Sequence, residues 1–222
     1  MAPRKERSAA DFVPPGARTI EALRRAAQDC RGCDLYRNAT QAVMGEGPRH
    51  ARVMLIGEMP GDQEDREGRP FVGPAGRELA SALESAGIHP GEAYVTNVVK
   101  HFKFAPRGKR RLHRKPTVAE QQACMPWLER EIEIVRPEVM VLLGATAARA
   151  ILGPQFRITR ERGVIVERPG RPAALATWHP SAILRQAERE DRARMRNELV
   201  ADLEVAQRYL RARAHALGAV AR

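Results

Sequence analysis

The sequence predicts an α/β fold, a three-layer sandwich in which helices flank a central, mostly parallel four-stranded sheet. Four short apolar runs lack alternation, which is typical of strands covered on both faces: residues 52–56, 93–98, 139–143 and 173–177. Helical stretches separate these runs, and alternating strands and helices are typical of an open parallel sheet. Polar motifs follow the strands, at the edge where ligands bind in such folds.

Caps and apolar spacing define the helices. Thr19 is the predicted N-cap of the first helix, and Thr117 with Glu120 forms a predicted capping box. Ser181 is able to cap the helix after the fourth strand. Residues 163–167 alternate and are a shorter strand candidate. The other predicted helices span residues 75–86, 117–135, 145–152 and 188–215.

Length and charge restrict the domain count and the partner class. With 222 residues the chain can form one substantial core, so we expect a single domain at residues 16–222. We expect a flexible tail at residues 1–15. The net charge of +11, from 38 basic and 27 acidic residues, attracts polyanions. We therefore expect a monomer that binds nucleic acid.

Cysteine usage indicates a reducing compartment. The chain has three cysteines, an odd number that no set of internal disulfides can exhaust. A cytosolic setting with a metal or cluster therefore fits better than a secreted scaffold. No secretory signal is visible, and no run of about 18 apolar residues is present to span a bilayer. We expect a soluble, cytoplasmic protein without membrane contact.

Three thiols and one imidazole form a candidate metal site. Cys30 and Cys33 are a Cys-x-x-Cys pair, and a basic loop joins His101 to Cys124. Three thiolates and an imidazole suit a structural zinc ion. They suit an iron-sulfur cluster with one histidine ligand equally well, so the residues alone leave the metal open.

The loop at residues 100–115 is rich in cations. It contains no acid, and Phe102 and Phe104 lie among the basic residues, which favours contact with nucleic acid over a merely solvated surface. His113 is either one more surface contact or a nucleophile, and the surrounding cations should keep its imidazole neutral. The eight cations are Lys100, Lys103, Arg107, Lys109, Arg110, Arg111, Arg114 and Lys115.

Further candidates lie at strand ends. Gly57 and Glu58 open a turn rich in carboxylates, which is otherwise an ordinary acidic loop. Phe71 is either a core residue or a ring that stacks on a ligand. Asn97 can read the edge of a flipped base or simply form a turn. A neutral His179 can donate to a carbonyl oxygen that gains charge, or it is structural.

Together these residues resemble the uracil-DNA glycosylase superfamily, in particular its iron-sulfur branch, family 4, and within it the UdgX group. The resemblance runs from about residue 11 to beyond residue 181. It rests on five motifs in order: Gly57-Glu58-x-Pro60-Gly61-Asp62-x-Glu64-Asp65, Pro70-Phe71-Val72-Gly73-Pro74-Ala75-Gly76, Thr96-Asn97-Val98-Val99-Lys100, Lys109-Arg110-Arg111-Leu112-His113 and His179-Pro180-Ser181.

The resemblance implies the uracil-DNA glycosylase fold and a 4Fe-4S cluster. Family 4 holds its cluster with four cysteines, whereas the UdgX group has three cysteines and a histidine, and this chain carries His101 at the position of the third ligand. The implied ligands are Cys30, Cys33, His101 and Cys124. The implied DNA contacts are Lys109, Arg110, Arg111 and Arg114.

The resemblance also implies roles around an extruded uracil. Phe71 would stack on the base, Asn97 would bond its edge, and His179 would support it through O2 as it departs. Glu58 would lie near the reacting sugar, and the basic loop would present His113 to C1′. The remaining implied substrate-binding residues are Gly57 and Asp62.

Three functions follow as hypotheses. In the first, the protein excises uracil, His113 captures C1′, and the protein stays covalently joined to DNA. In the second, it is a conventional glycosylase that releases uracil and an abasic site. In the third, it is a non-catalytic DNA-binding protein with a structural metal. Uracil-containing DNA is the expected partner, and we expect single strands to be accepted. Met59 replaces a glutamine that is common in UdgX relatives.

Overall fold

The computed structural model describes residues 8–220. In this part of the chain, 3-10 turns occupy Ala9–Asp11, Asp34–Arg37 and Pro90–Glu92. The helices are α1 (Ile20–Ala27), α2 (Asp62–Glu67), α3 (Pro74–Ser85), α4 (Val118–Val135), α5 (Gly144–Leu152), α6 (Ile158–Glu161), α7 (Pro180–Leu184) and α8 (Arg189–Val220). The strands are β1 (Val53–Gly57), β2 (Ala93–Asn97), β3 (Phe104–Arg107), β4 (Arg110–His113), β5 (Val139–Leu143) and β6 (Ala173–Thr177).

The central sheet has four parallel strands in the order β2, β1, β5, β6. Val53 on β1 lies opposite Ala93 on β2 and Val139 on β5, so the strands start and end together. Because all four are parallel, their carboxyl ends meet at one edge of the sheet. The predicted fold class is confirmed.

Helices cover both faces of this sheet, which explains why the strands lack polar alternation. Met54 and Ile56 pack in a core with α1, α4 and α5, whereas Val53 and Leu55 pack on the other face against α3 and α8. Alternate residues of one strand thus belong to opposite cores. None of the helices in the described part of the chain combines the length and apolar composition that a membrane crossing requires.

Most local predictions are confirmed, and two are wrong. Thr19 caps α1, and the Thr117 capping box begins α4. Residues 163–167 do not form a strand, because only an isolated bridge joins Val166 to Ala174. Ser181 does not cap α7; the N-cap is His179, whose side chain accepts a hydrogen bond from the Ser181 N–H.

The part of the predicted tail that the structure describes is packed against the domain. Ser8 caps the turn at Ala9–Asp11, and Ala9 is 1% exposed. Phe12 and Val13 pack on the same core, since their apolar side chains gain free energy by leaving water. The chain is therefore anchored well before residue 15, and residues 1–7 lie outside the described residues.

A fully buried ion pair joins β2 to α4. The Lys100 ammonium donates to Glu131 at 2.5 Å, to the Thr96 hydroxyl at 2.8 Å and to the Asn97 carbonyl at 2.6 Å. Glu131 also accepts from the Tyr94 hydroxyl, and burial together with this carboxylate raises the pKa of Tyr94. Each charge is paired, so the desolvation cost of burying it is offset.

The Lys100→Met variant tests this network. Removing one partner leaves the Glu131 charge buried without its cation, so we expect the free energy of unfolding to fall by about 3–5 kcal/mol. Urea unfolding measures this loss. The exposed Lys109→Met variant is the control and should lose less than about 0.5 kcal/mol. Equal stability of the two variants would contradict the role of the pair.

Candidate active site

A cavity of about 760 Å³ opens at the carboxyl edge of the sheet. A volume of this size accommodates a small organic group such as a base. Six residues predicted from sequence line it together: Glu58, Phe71, Asn97, His113, Arg114 and His179. A larger groove of about 1300 Å³ lies at the opposite edge, where β5 and β6 begin, and contains none of the predicted site residues.

Phe71 and His179 form two aromatic walls of the cavity. Their ring centroids lie 6.2 Å apart, and the ring planes differ by 27°. Phe71 adopts a left-handed backbone with φ of 55°, a strained conformation for a bulky residue that occurs mostly at functional sites. Gly57 lies beneath, and a Cβ there would overlap the Asn97 Oδ1 atom and crowd the Phe71 ring. Only glycine lets these groups approach so closely.

His179 is held in one neutral tautomer. Its Nδ1 accepts the Ser181 N–H at 3.1 Å and lies 2.8 Å from the Ser181 hydroxyl oxygen. Because Nδ1 is the acceptor, Nε2 carries the hydrogen and is a donor. Burial, with smaller contributions from Arg185 and His113, lowers the pKa of His179 to about 4. The side chain is therefore a neutral hydrogen-bond donor at pH 7.

His113 faces Glu58 across the cavity mouth. Its Nε2 lies 3.5 Å from Glu58 Oε1, and half of its side chain is exposed to solvent. Partial burial lowers the pKa of His113, the Glu58 charge opposes this effect, and Arg185 and Lys115 lower the pKa further. These effects together favour the neutral imidazole, and desolvation contributes more than the surrounding cations do.

The basic loop is a β-hairpin, and Arg111 fixes it to the domain. β3 and β4 pair with Arg107 opposite Arg110, and Gly108 provides the positive φ that the two-residue turn needs. The Arg111 guanidinium donates to Asp65 at 2.6 Å and also to Asp62. His113 is two residues further along β4, so it projects from the same face of the strand.

Several residues predicted to contact DNA or the substrate lie elsewhere than expected. Arg111 pairs with two carboxylates and is largely buried, and Asp62 pairs with Arg66 and Arg111 and does not line the cavity. Lys100 is buried in its ion pair. Lys109 and Arg110 are exposed at the hairpin tip, where phosphate can reach them. The distribution of charges along the sequence does not show whether a basic side chain binds phosphate or pairs with a carboxylate of the same protein.

The four predicted metal ligands lie after the end of α1, after the end of β2 and in α4. Cys30 and Cys124 are buried, and their sulfurs accept N–H donors from Trp127 and Lys100, each at 3.3 Å. Burial raises the pKa of Cys124 to about 12; Lys100 opposes this, and the Cys33 and Cys30 charges add to it. These mutual effects reflect the proximity of the three thiols.

The fourth predicted ligand, His101, has a neutral imidazole. Burial lowers the pKa of His101 to about 4, with an opposing effect of Asp65. Neutral imidazole and thiolate are the forms that bind metals. Among the residues that the structure describes, however, no three His, Cys, Asp or Glu side chains are close enough to enclose a single metal ion.

Thr146, Trp178 and Arg185 are among the cavity residues that were not predicted as site residues. Thr146 lies in the first turn of α5, Trp178 precedes His179, and Arg185 follows α7. Thr146 and Trp178 could have been found from their position, because each comes within three residues of a strand end at the ligand-binding edge. Arg185 gave no comparable signal, since it is one of many arginines.

Comparison with known proteins identifies the family. Residues 44–204 match the model of the Uracil DNA glycosylase superfamily. The chain belongs to this superfamily. A Type-4 uracil-DNA glycosylase of Thermotoga maritima is 37% identical over 193 residues, which cover 86% of this chain and 95% of the relative. A Type-4 uracil-DNA glycosylase of Archaeoglobus fulgidus is 37% identical over 173 residues, which cover 75% of this chain and 83% of the relative.

More distant members are also similar to the chain. A Type-5 uracil-DNA glycosylase of Thermus thermophilus is 33% identical over 157 residues, which cover 63% of this chain and 68% of the relative. The identity to the Type-4 enzymes is higher and extends over more of the chain. These relatives support the uracil-DNA glycosylase branch that the sequence motifs indicated, and they leave the UdgX group as a proposal.

The neutral His179 of this glycosylase predicts a pH effect on stability. The unfolded imidazole, with a pKa of 6.5, accepts a proton that the folded one, with a pKa of about 4, resists. Stability should therefore fall as the pH drops from 6.5 towards 4. Between pH 7 and 5, we expect wild type to lose on the order of 1 kcal/mol more than His179→Asn, in which asparagine still caps α7.

Urea unfolding at both pH values measures this difference. The exposed His50→Asn variant is the control and should lose as much stability as wild type. The explanation fails if His179→Asn loses as much stability between pH 7 and 5 as wild type and His50→Asn do.

Proposed function

We propose that this protein excises uracil from DNA and that His113 then captures C1′ of the deoxyribose, which leaves the protein covalently joined to DNA. Membership of the superfamily and the names of the Type-4 relatives support uracil excision. One observation supports capture: the neutral His113 imidazole lies beside Glu58 at the mouth of the cavity that contains Phe71 and Asn97.

The cavity suits an extruded uracil. Enzymes that act on a base must take it out of the stack, and the Phe71 ring in the cavity wall offers an aromatic face to a flat base. Asn97 at the end of β2 supplies both a donor and acceptors to the base edge. The closeness of Gly57 to Phe71 and Asn97 keeps this part of the cavity narrow.

The proposed chemistry begins with the glycosidic bond. The bond between uracil N1 and C1′ breaks, and its electron pair leaves with the base. Negative charge develops on uracil O2, and His179 Nε2–H is a donor that can stabilise it. The sugar becomes electron-poor at C1′. Glu58 is 15% exposed and lies beside His113, where its carboxylate can stabilise positive charge.

Capture by His113 completes the reaction. One imidazole nitrogen contributes its lone pair to a new bond with C1′, and the other retains its hydrogen. The ring therefore becomes a cation, which the neighbouring Glu58 carboxylate stabilises. Arg111 holds the hairpin so that the imidazole is positioned before the bond breaks, and a positioned group competes with water at high effective molarity. The protein is consumed stoichiometrically.

A conventional glycosylase reaction is the second candidate. The Type-4 names of the relatives favour it, since the same cavity can direct water to C1′ and release an abasic site. The two candidates share every step up to the loss of uracil. They differ only in whether His113 or water forms the last bond, so a product analysis distinguishes them.

We further propose that exposed cations at the cavity mouth bind the DNA backbone. Arg114 and Lys115 line the cavity, and Lys109 and Arg110 are exposed at the hairpin tip. The net charge of +11 adds a sequence-independent attraction to phosphate. A single-stranded substrate suits this arrangement, because its bases are already free to enter the cavity.

Covalent capture is tested on a denaturing gel. Protein mixed with single-stranded DNA that contains one uracil should form a heat-stable, slowly migrating band at up to one DNA per protein. We expect His113→Ser to lose this band and to release uracil and an abasic site instead. The exposed His50→Ser variant is the control and should form the adduct as wild type does.

Each alternative has its own outcome in this experiment. Multiple turnovers without a band would show that the protein is a conventional glycosylase. Intact uracil-containing DNA, bound in a way that salt reverses, would show a non-catalytic DNA-binding protein.

We also propose that Cys30, Cys33, His101 and Cys124 hold a 4Fe-4S cluster. The donor set fits, since it combines three thiols with a neutral imidazole and supplies N–H donors to two sulfurs. When bound, the cluster would be structural and would tie α1 to α4.

The cluster proposal predicts the composition of the purified protein. It should be brown and contain about four irons with matching acid-labile sulfide per chain, and Cys124→Ser should lower both. Cys124 is chosen because it is buried in α4, whereas the exposed His50→Ser variant should retain the wild-type content. Stoichiometric zinc in place of iron would contradict the proposal.

A further inference from the structure

Thr146 contacts Glu58 on the side away from His113. Thr146 lies in the first turn of α5, three residues after the end of β5, and lines the cavity. Its hydroxyl donates a hydrogen bond to Glu58 Oε2. The other carboxylate oxygen, Oε1, is the one that lies 3.5 Å from His113 Nε2. The two oxygens of Glu58 therefore have different partners.

This contact restricts the rotation of a carboxylate that would otherwise turn easily. The terminal torsion of a glutamate is broad and has no deep staggered wells. A donor on one oxygen selects a single orientation, and a hydrogen bond to a charged group is stronger than one between neutral groups. With Oε2 held by Thr146, Oε1 stays directed towards His113.

We propose that Thr146 is a positioning residue that, through Glu58, decides whether His113 or water forms the bond to C1′. The inference rests on the proposed uracil excision at this site. If Glu58 turned away, the imidazole would lose the carboxylate that stabilises its charge after attack, while water would still reach the sugar through the open mouth. Loss of the Thr146 hydroxyl should thus change the products more than it changes excision.

Thr146→Val and Thr146→Ser test this inference. Valine keeps the shape and removes the donor, whereas serine keeps the donor. Single-turnover reactions with uracil-containing single-stranded DNA give three quantities: the affinity for DNA, the rate of uracil release, and the ratio of covalent adduct to free abasic site. The exposed Thr159→Val variant on α6 is the control for loss of a threonine hydroxyl.

We expect Thr146→Val to bind DNA within about twofold of wild type and to release uracil within about threefold, but to lower the ratio of adduct to abasic site about tenfold. Thr146→Ser and Thr159→Val should keep the wild-type ratio. If Thr146 only supported the fold, Thr146→Val would lower the affinity for DNA and the rate of uracil release together. Serine would then not selectively restore the ratio of adduct to abasic site.

Two results would overturn the inference: a wild-type ratio in Thr146→Val, or the same loss in Thr146→Ser. Failure of the proposed capture gives a different pattern, in which wild type itself forms no adduct. Glu58 would then direct water, and the inference predicts that Thr146→Val slows uracil release about tenfold at unchanged affinity while serine restores it. An unchanged release rate in that case would overturn the inference as well.

Discussion

The pairing of Arg111 with Asp62 and Asp65 is the interaction on which the arrangement of the active site depends. A two-stranded hairpin is marginally stable by itself, so its position must come from the domain. The buried Asp65 carboxylate accepts from Arg111 and from Thr40, which connects the hairpin to α2 and to the segment before β1. His113, two residues along the strand, is thereby brought to the cavity mouth beside Glu58.

A second charged network connects Asn97, which is proposed to bind the base, to Cys124, which is proposed to bind the cluster. The Lys100 side chain bonds the Asn97 carbonyl and Glu131, while its backbone N–H donates to the Cys124 sulfur. One residue thus contacts the strand end that presents Asn97 and the helix that contains the proposed ligand Cys124. This shared contact would let the proposed cluster stabilise the site without any electron transfer.

Two neutral imidazoles in one cavity serve different tasks because their surroundings differ. His179 is only partly exposed, and the Ser181 backbone and hydroxyl contact its Nδ1, so its other nitrogen is a fixed donor. His113 is half exposed and faces a carboxylate, so a charge that forms on its ring can be stabilised. In the proposed reaction, the same residue type would be a donor to the leaving group in one place and the nucleophile in the other.

The sequence by itself determined the parallel sheet, its two covered faces and six of the residues that line the cavity, since strand burial and helix capping depend on near neighbours in the chain. It also located the hairpin through its charges. Only the tertiary structure decided that Arg111 binds carboxylates, that His179 replaces Ser181 as the cap, and that Thr146 holds Glu58. Arg111 and Asp65 are 46 residues apart, and Thr146 and Glu58 are 88 apart. The partners of a charged or hydroxyl group at such separations depend on the path of the folded chain, which local patterns do not encode.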